Sequence, residues 1–333
     1  MKLYNDTDAD CSLLYKKTIG IVGYGNQGRA QALNLKDSGL IVIVGLREGS
    51  PRRDEAQQQG LHIETIEKTA ELSDYLVLLI PDEVQSEVYS ASIAPSMTKG
   101  KILGFAHGFN IQFGFITPPP DVDVVLNSPK CIGYLVRENF TKGFGFPNVF
   151  AVHQDASGRA KDYALAYAKG IGGTRTGVME STIEEETVTN LFGEQVILCG
   201  GIVELIKAAF DTLVQAGYQP EIAFFECMHE IKPIIDLFYR EGLNEMNRRI
   251  SNTAEYGEYI TGPHIINKHV RGAMKQALSD IQNGTFARQW MNEHKSGGQN
   301  FASLRKAAAE HLIEKVGAQM RALMPWLKEK NTK

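Results

Sequence analysis

Two pairs of oxygen-bearing side chains raise the first chemical question. In TVTNLFGEQVILCGG (187–201), Asn190 and Glu194 stand four residues apart, and in EIAFFECMHEIKPIIDLFY (221–239) Glu226 and Glu230 repeat that spacing. Residues four apart share one face of a helix, so each pair can present two ligands in one direction. A set of oxygens without histidine or cysteine suits Mg2+ or Mn2+ better than Zn2+. Spacing alone does not separate such a site from two solvated helix faces. The apolar surroundings, NLFGEQVILCGG and AFFECMHEI, favour the site, because a buried carboxylate without a partner is costly. Asn190 is the odd member, an amide among three carboxylates.

A second constellation is GYGNQG, which places Gly23, Gly25 and Gly28 in GxGxxG spacing between an apolar strand and a helix. Such glycines let the backbone turn tightly and approach a pyrophosphate at a helix N-terminus, and Tyr24, Asn26 and Gln27 belong to the same turn. An NAD-selective site has an acidic residue at the end of the next strand. Here the sequence is GLREGSPRR, where Arg47, Ser50, Arg52 and Arg53 offer donors and charge to a 2'-phosphate. NADP(H) is the expected cofactor, and Glu48 and Asp54 keep NAD(H) open. His107, in FAHGFNIQFG, follows another strand, at the end of the sheet where ligands bind in doubly wound folds.

These residues need a scaffold, and the first half of the chain supplies an alternating one. KTIGIVGYG, LIVIVGL, YLVLLIPD, KILGFAHG, DVDVVLNSP and NVFAV read as buried strands, with NQGRAQALNLKDSG and other helical segments between them. Near-continuous apolar strands separated by helices predict an α/β Rossmann-like domain whose parallel sheet is covered on both faces. Beyond residue 182 helical periodicity takes over, in VELIKAAFDTLVQAG, EIAFFECMHEIKPIIDLFYREG, RGAMKQALSDIQNGTFARQWMNEH and FASLRKAAAEHLIEKVGAQMRALMPWL. The expected domains are therefore 1–182, dinucleotide-binding, and 183–328, all-helical.

Composition narrows the partners. The 333 residues carry a formal net charge of −4, so no broad basic field exists for nucleic acid. Four scattered cysteines without CxxC spacing fit a reduced, cytoplasmic protein. The first residues lack an apolar signal core, and no apolar run approaches the roughly twenty residues of a membrane span.

Taken in order, GYGNQG, VGLREGS, PDE, FAHGFNI, SPK, QDASG, LFGEQVILCGG, FFECMHE, SNTAEYGEY, IQNGTFA and MPWL resemble the short-chain form of the ketol-acid reductoisomerase family over nearly the whole chain. The resemblance implies an NADPH- and Mg2+-dependent enzyme. It would shift an alkyl group in a 2-acetolactate-type ketol acid and reduce the product to a 2,3-dihydroxy acid. It also implies a knotted all-helical second domain and active sites shared within a homodimer or a higher homo-oligomer. By resemblance Asn190, Glu194, Glu226 and Glu230 are the metal positions, the last two reaching the site from the partner subunit. The same resemblance makes His107, Lys130 and Glu230 the catalytic candidates, places Gly133 and His107 beside the cofactor, and matches Ser251 to a contact with the substrate carboxylate.

The chain departs from that pattern at the metal. The family has Asp where Asn190 stands, and that Asp bridges two metals; an amide brings no charge, so one ion is expected and the second is in doubt. The lysine loop reads PKCIGY in place of PKGPGH, and Asn26 and Arg29 replace a serine and a histidine. These departures predict a specialised-metabolism enzyme acting on a different small hydroxy or keto acid; the family resemblance implies one such direction, forming a cyclopropanol from a hydroxylated sulfonium acid. The alternatives are the ordinary branched-chain amino-acid enzyme and a catalytically decayed nucleotide-binding relative.

Overall fold

The computed structural model describes residues 2–328. The chain separates into two compact units, Met1–Thr189 and Asn190–Lys333.

In the first unit, nine strands form one sheet: β1 (Leu3–Tyr4), β2 (Thr18–Val22), β3 (Ile41–Gly45), β4 (His62–Glu64), β5 (Tyr75–Leu78), β6 (Ile102–Phe105), β7 (Asp123–Pro129), β8 (Asn148–Gln154) and β9 (Val178–Ser181). Their spatial order is β1-β9-β8-β7-β6-β5-β2-β3-β4. Around it run α1 (Asn26–Asp37), α2 (Arg52–Gln58), α3 (Ile66–Leu72), α4 (Asp82–Val88), α5 (Phe109–Gln112), α6 (Gly133–Thr141) and α7 (Ala160–Gly170). Alternate strand residues enter different cores. Ile19, Ile21, Tyr75 and Val77 pack with Leu35 and Leu165, whereas Val22, Leu76, Leu78 and Phe105 pack with Ala70 and Ile93. Because side chains alternate across a strand, these two clusters are the two covered faces of the sheet.

The expected all-parallel sheet is corrected to a mixed one. Strands β4, β3, β2, β5, β6 and β7 are mutually parallel, but β8 runs antiparallel to β7 and β1 antiparallel to β9. The parallel block is the part that carries the dinucleotide turn. Strands β1, β4 and β9 escape a reading of apolar runs because they have two, three and four residues, all but Tyr4 and Val178 exposed or partly so.

Helix α8 (Ile183–Gly193) crosses the division between the units. The second unit contains α9 (Gly200–Gln215), α10 (Pro220–Phe224), α11 (Ile231–Glu241), α12 (Leu243–Asn247), α13 (Asn252–Ile265), α14 (Lys268–Gln282), α15 (Thr285–Lys295), α16 (Gln299–Glu310), α17 (Leu312–Ala322) and α18 (Pro325–Lys328), with no strand among its described residues. Two wide π-helical turns interrupt the helices, at Glu194–Leu198 and Phe225–His229. There Cys199 N–H donates to Glu194 O and Glu230 N–H to Phe225 O, each at 3.0 Å and five residues back. A small core gathers Phe210, Ala223, Phe224, Ile313 and Val316. Much apolar surface stays outside it: Leu198 is 66% exposed, Tyr256 69% and Tyr239 79%.

Candidate active site

The dinucleotide turn has the geometry its spacing predicts. Gly23 has φ +101°, a conformation that any side chain would strain. A Cβ on Gly28 would stand 2.2 Å from Gly23 O, so the third glycine lets the helix pack on the strand end. Nothing lies within 4 Å of a Cβ at Gly25, which leaves the face before the α1 N-terminus open. That N-terminus has no side-chain cap and no acidic residue in its first turn, as a pyrophosphate site requires. Tyr24 turns its side chain into the core, where its hydroxyl donates to Gln59 Oε1 at 2.5 Å. Burial pushes its phenol up to about 12, and the side chain is withdrawn from the open face of the turn.

The basic loop divides its cations. Arg47 is exposed and has no ion pair among the described residues. Ser50 Oγ accepts from Arg52 N at 3.4 Å, and the Arg52 guanidinium donates to Tyr24 O at 3.1 Å. Arg53, expected with them, donates to Leu46 O and Glu64 O at 3.0 and 3.4 Å. Through that one nitrogen it ties β3 to β4, while the side chain also lines a surface cavity with Ser50.

The PKCIGY loop leans directly on the glycine turn. A Cβ on Gly133 would stand 2.1 Å from Asn26 O, a contact only glycine permits. Cys131 O accepts from Gln27 Nε2 at 2.8 Å. Beside it, Lys130 Nζ lies 2.5 Å from Glu186 Oε1 and 3.2 Å from Ser128 Oγ. The Glu186 side chain is fully buried and that of Lys130 is 32% exposed. Glu186 Oε2 is buried with no hydrogen-bond partner. Glu186 precedes Asn190 by four residues on α8, so both belong to one helix face.

His107 sits past the end of β6, and Asp82 past the end of the neighbouring β5. His107 Nδ1 and Asp82 Oδ2 are 2.6 Å apart. Gln85 Nε2 reaches Asp82 Oδ1 at 3.3 Å, and the buried Asn110 donates to Asp82 O and Gln85 Oε1. The carboxylate therefore holds the imidazole; Gln85 holds the carboxylate, and Asn110 holds Gln85 and the Asp82 backbone carbonyl. Neither Asp82 nor Glu186 was singled out from the sequence. Asp82 carries the positional signal of His107, the carboxyl end of a sheet strand. Glu186 shares a helical face with the buried Ile183, three residues earlier.

Of the four metal positions, Asn190 lies on α8, Glu194 and Glu226 within the wide turns, and Glu230 just after the second of them. In the single chain Asn190 is half-buried, and Glu194, Glu226 and Glu230 are exposed. Their apolar neighbours are exposed with them, including Leu198 and Met228. No group of three or more His, Cys, Asp or Glu is gathered to hold a metal among the described residues. The donor chemistry fits a hard divalent cation, and no side-chain hydrogen bond or ion pair engages the three glutamates among the described residues. Ser251 caps α13, its Oγ accepting from Ala254 N at 3.2 Å, and its hydroxyl proton is left to donate.

A parallel sheet block ending in a bare glycine turn, followed by a largely helical unit, defines a nicotinamide-dependent oxidoreductase. Low-identity structures share that fold alone. A semialdehyde dehydrogenase NAD-binding protein from Cupriavidus necator matches with TM-score 0.61 at 17% identity, over 80% of this chain and 99% of its own. A 1-pyrroline-5-carboxylate reductase from Streptococcus pyogenes matches with TM-score 0.51 at 14% identity, over 80% and 98%. Two family models cover most of the chain: acetohydroxy acid isomeroreductase, NADPH-binding domain, at residues 13–177, and ketol-acid reductoisomerase, C-terminal domain, at 183–326. An NADH-preferring ketol-acid reductoisomerase from an uncultured archaeon is 45% identical over 98% of this chain and 100% of its own, with TM-score 0.94. The chain belongs to the ketol-acid reductoisomerase family, and is an NAD(P)H-dependent enzyme of that type. No helix among the described residues is long and apolar enough to cross a membrane.

Proposed function

We propose that this enzyme is a Mg2+-dependent member of a specialised branch, acting by hydride transfer on a small hydroxy or keto acid. Asn190 carries the reading. The position that holds a bridging carboxylate in the parent family holds a neutral amide here, one helical turn beyond the buried Lys130–Glu186 pair. Moving an alkyl group between two metal-held oxygens demands that bridging charge more than a simple hydride transfer does. Closure of a hydroxylated sulfonium acid to a cyclopropanol, in which the ring C–C bond forms as the C–S bond breaks, a neutral sulfide leaves and one proton is lost, is one reaction that would use hydride transfer, taken up and returned, without the migration.

Asn190 and Glu194 of one copy, with Glu226 and Glu230 of a second, would hold the cation. When bound, it supplies Lewis acidity toward a carbonyl or an alkoxide. The nicotinamide supplies or accepts hydride. Gly23, Gly25, Gly28 and Gly133 shape the pyrophosphate seat, and Arg47, Ser50 and Arg52 receive a 2'-phosphate. Lys130 steadies developing oxyanion charge, with Glu186 fixing its amine. His107, oriented by Asp82, and Glu230 hold and move protons, and Ser251 donates to the substrate carboxylate. Exposed apolar faces in the second unit support a homodimer or a higher assembly with shared sites. The gap between the two family models, from residue 177 to 183, supports a domain boundary near residue 182; the knotted second domain is proposed from the family resemblance alone.

Turnover of 2-acetolactate with NADPH and Mg2+ tests the reading, beside Asn190→Asp. Slow wild-type turnover and a clear gain in the variant are expected. Wild-type turnover at the order of 10 per second, usual for metabolic enzymes, would defeat it. That result would favour the second reading, an ordinary reductoisomerase making 2,3-dihydroxyisovalerate, which the 45% identity supports. Comparing kcat/KM for NADPH and NADH assigns the cofactor; NADPH preference is expected from Arg47, Ser50 and Arg52, against the NADH preference of that relative.

A further inference from the structure

A chain of side-chain hydrogen bonds starts in the core and ends on the lysine loop. Tyr167 OH meets Gln31 Oε1 at 2.7 Å, Gln31 Nε2 meets Gln27 Oε1 at 3.0 Å, and Gln27 Nε2 meets Cys131 O at 2.8 Å. Tyr167 and Gln31 are completely or almost completely buried. Gln27 and Gln31 are one turn apart on α1, so both amides lie on the face turned toward α7 and the loop.

The last acceptor dictates the direction of the whole chain. A backbone carbonyl can only accept, so Gln27 must present its NH2 group to Cys131 O. Its own oxygen must then accept from the Gln31 NH2 group. The Gln31 oxygen, in turn, must accept from the Tyr167 hydroxyl. Reversing Gln27 would set two oxygens against each other at the loop, and reversing Gln31 would do so between the two amides. Each member therefore fixes the orientation of the next, and the loop is reached in a single polarity.

Other contacts make the same junction rigid. Gly133 touches the backbone of Asn26 and Gln27, and Arg137 bonds Asn34 Oδ1 at 2.9 Å and Asp37 Oδ2 at 2.6 Å. The N-termini of α1 and α6 are thus locked side by side. Lys130, the residue before the clamped carbonyl, is held on its other side by its own N–H donating to Pro147 O at 2.9 Å.

We propose that Gln27 and Gln31, headed by Tyr167, form a positioning network that sets the Lys130 loop against the dinucleotide turn. Pyrophosphate at the turn and the Lys130 amine are then parts of one rigid body, so cofactor seating and amine placement are linked. None of the network's side chains touches reacting atoms; they act through the loop. The inference rests on the reading of Lys130 as an oxyanion-stabilising group.

Hydrogen exchange on the full-length, cofactor-free protein tests the clamp without relying on that reading. In Gln31→Met, the amides of Lys130, Leu135 and Val136 should exchange about tenfold faster than in wild type, the equivalent of one lost hydrogen bond. Strand β2 and the Tyr163–Tyr167 turn of α7 should keep their rates. Tyr167→Phe, which removes one oxygen, should give about threefold, and serves if Gln31→Met does not fold. Loop amides that exchange at wild-type rates, or acceleration spread evenly over the sheet, would overturn the proposal. With a keto acid that the wild type reduces, Gln31→Met should lower kcat about tenfold while KM for the nicotinamide changes less than threefold. Faster loop exchange with unchanged kcat would reduce the network to a structural strap and end the positioning claim. A wild type that reduces no keto acid would count against the functional reading, and the exchange comparison would still decide the clamp.

Discussion

Replacing Lys130 with methionine should destabilise the protein far more than an exposed lysine would. Its ammonium is 2.5 Å from the carboxylate of Glu186, whose side chain is fully buried and whose second oxygen has no hydrogen-bond partner. At an effective dielectric near 20, unit charges at this separation attract by roughly 7 kcal/mol, most of which desolvation cancels. The mutation leaves the desolvation and removes the attraction. Breaking a buried pair from one side costs about 3–5 kcal/mol; the partial exposure of Lys130 puts the expected loss near about 3. That corresponds to a melting shift of roughly 6–12 °C for a unit of this size. Urea unfolding at one fixed protein concentration is the assay, because assembly and stability are coupled. Lys130→Met with Glu186→Met removes both charges, and should regain about 1–2 kcal/mol over the single variant. A single variant that loses under about 1 kcal/mol, or a double variant no more stable than the single, would refute the reasoning.

Three further outcomes are expected. Asp82→Asn should cut kcat by about a hundredfold, with KM for the nicotinamide little changed, because the imidazole of His107 loses the charge that orients it; steady-state kinetics check this, and an unaltered kcat would show that His107 does not depend on Asp82. Gly133→Ala must displace either the α6 N-terminus or the glycine turn, since the new methyl would meet Asn26 O at 2.1 Å. Fluorescence titration should show NAD(P)H affinity reduced at least about tenfold. Burial pushes the Cys131 thiol above its ordinary range, and the reactive form is the thiolate. Its labelling by iodoacetamide, followed by mass spectrometry, should therefore keep accelerating as pH rises past 9; a plateau below pH 9 would contradict that shift.

The strands that position the cofactor were legible because burial on both faces demands long apolar runs, as in KTIGIV and YLVLL. The short edge strands were not, since His62, Ile63 and Glu64 lack such a run and pair on one side only. Among the site residues, the glycines carried their reasons openly. Glu186 did not, because it is the third of three consecutive glutamates and only the phase of α8 tells which one faces inward. The direction of Arg53 was equally hidden: two backbone carbonyls capture a guanidinium that the sequence offers to a phosphate. The exposure of Glu226 and Glu230 in the single chain depends on tertiary packing, which the local sequence does not encode.

The two wide turns bear on how such a site can change over generations. A π-helical turn accommodates one residue more than the α-helix around it, and its natural lesion is the loss of a single codon. Deleting one residue within Glu194–Leu198 would rewind that stretch and swing everything beyond it by about a quarter of a circle, roughly 100°. The same holds for Phe225–His229, with Glu226 inside the turn and Glu230 just after it. The direction in which Glu230 points could thus be altered without replacing Glu230 itself. Among close relatives, alignments that read these segments as uninterrupted α-helix would then mistake a one-residue gap for a neutral change in length, although it would re-aim a candidate metal ligand.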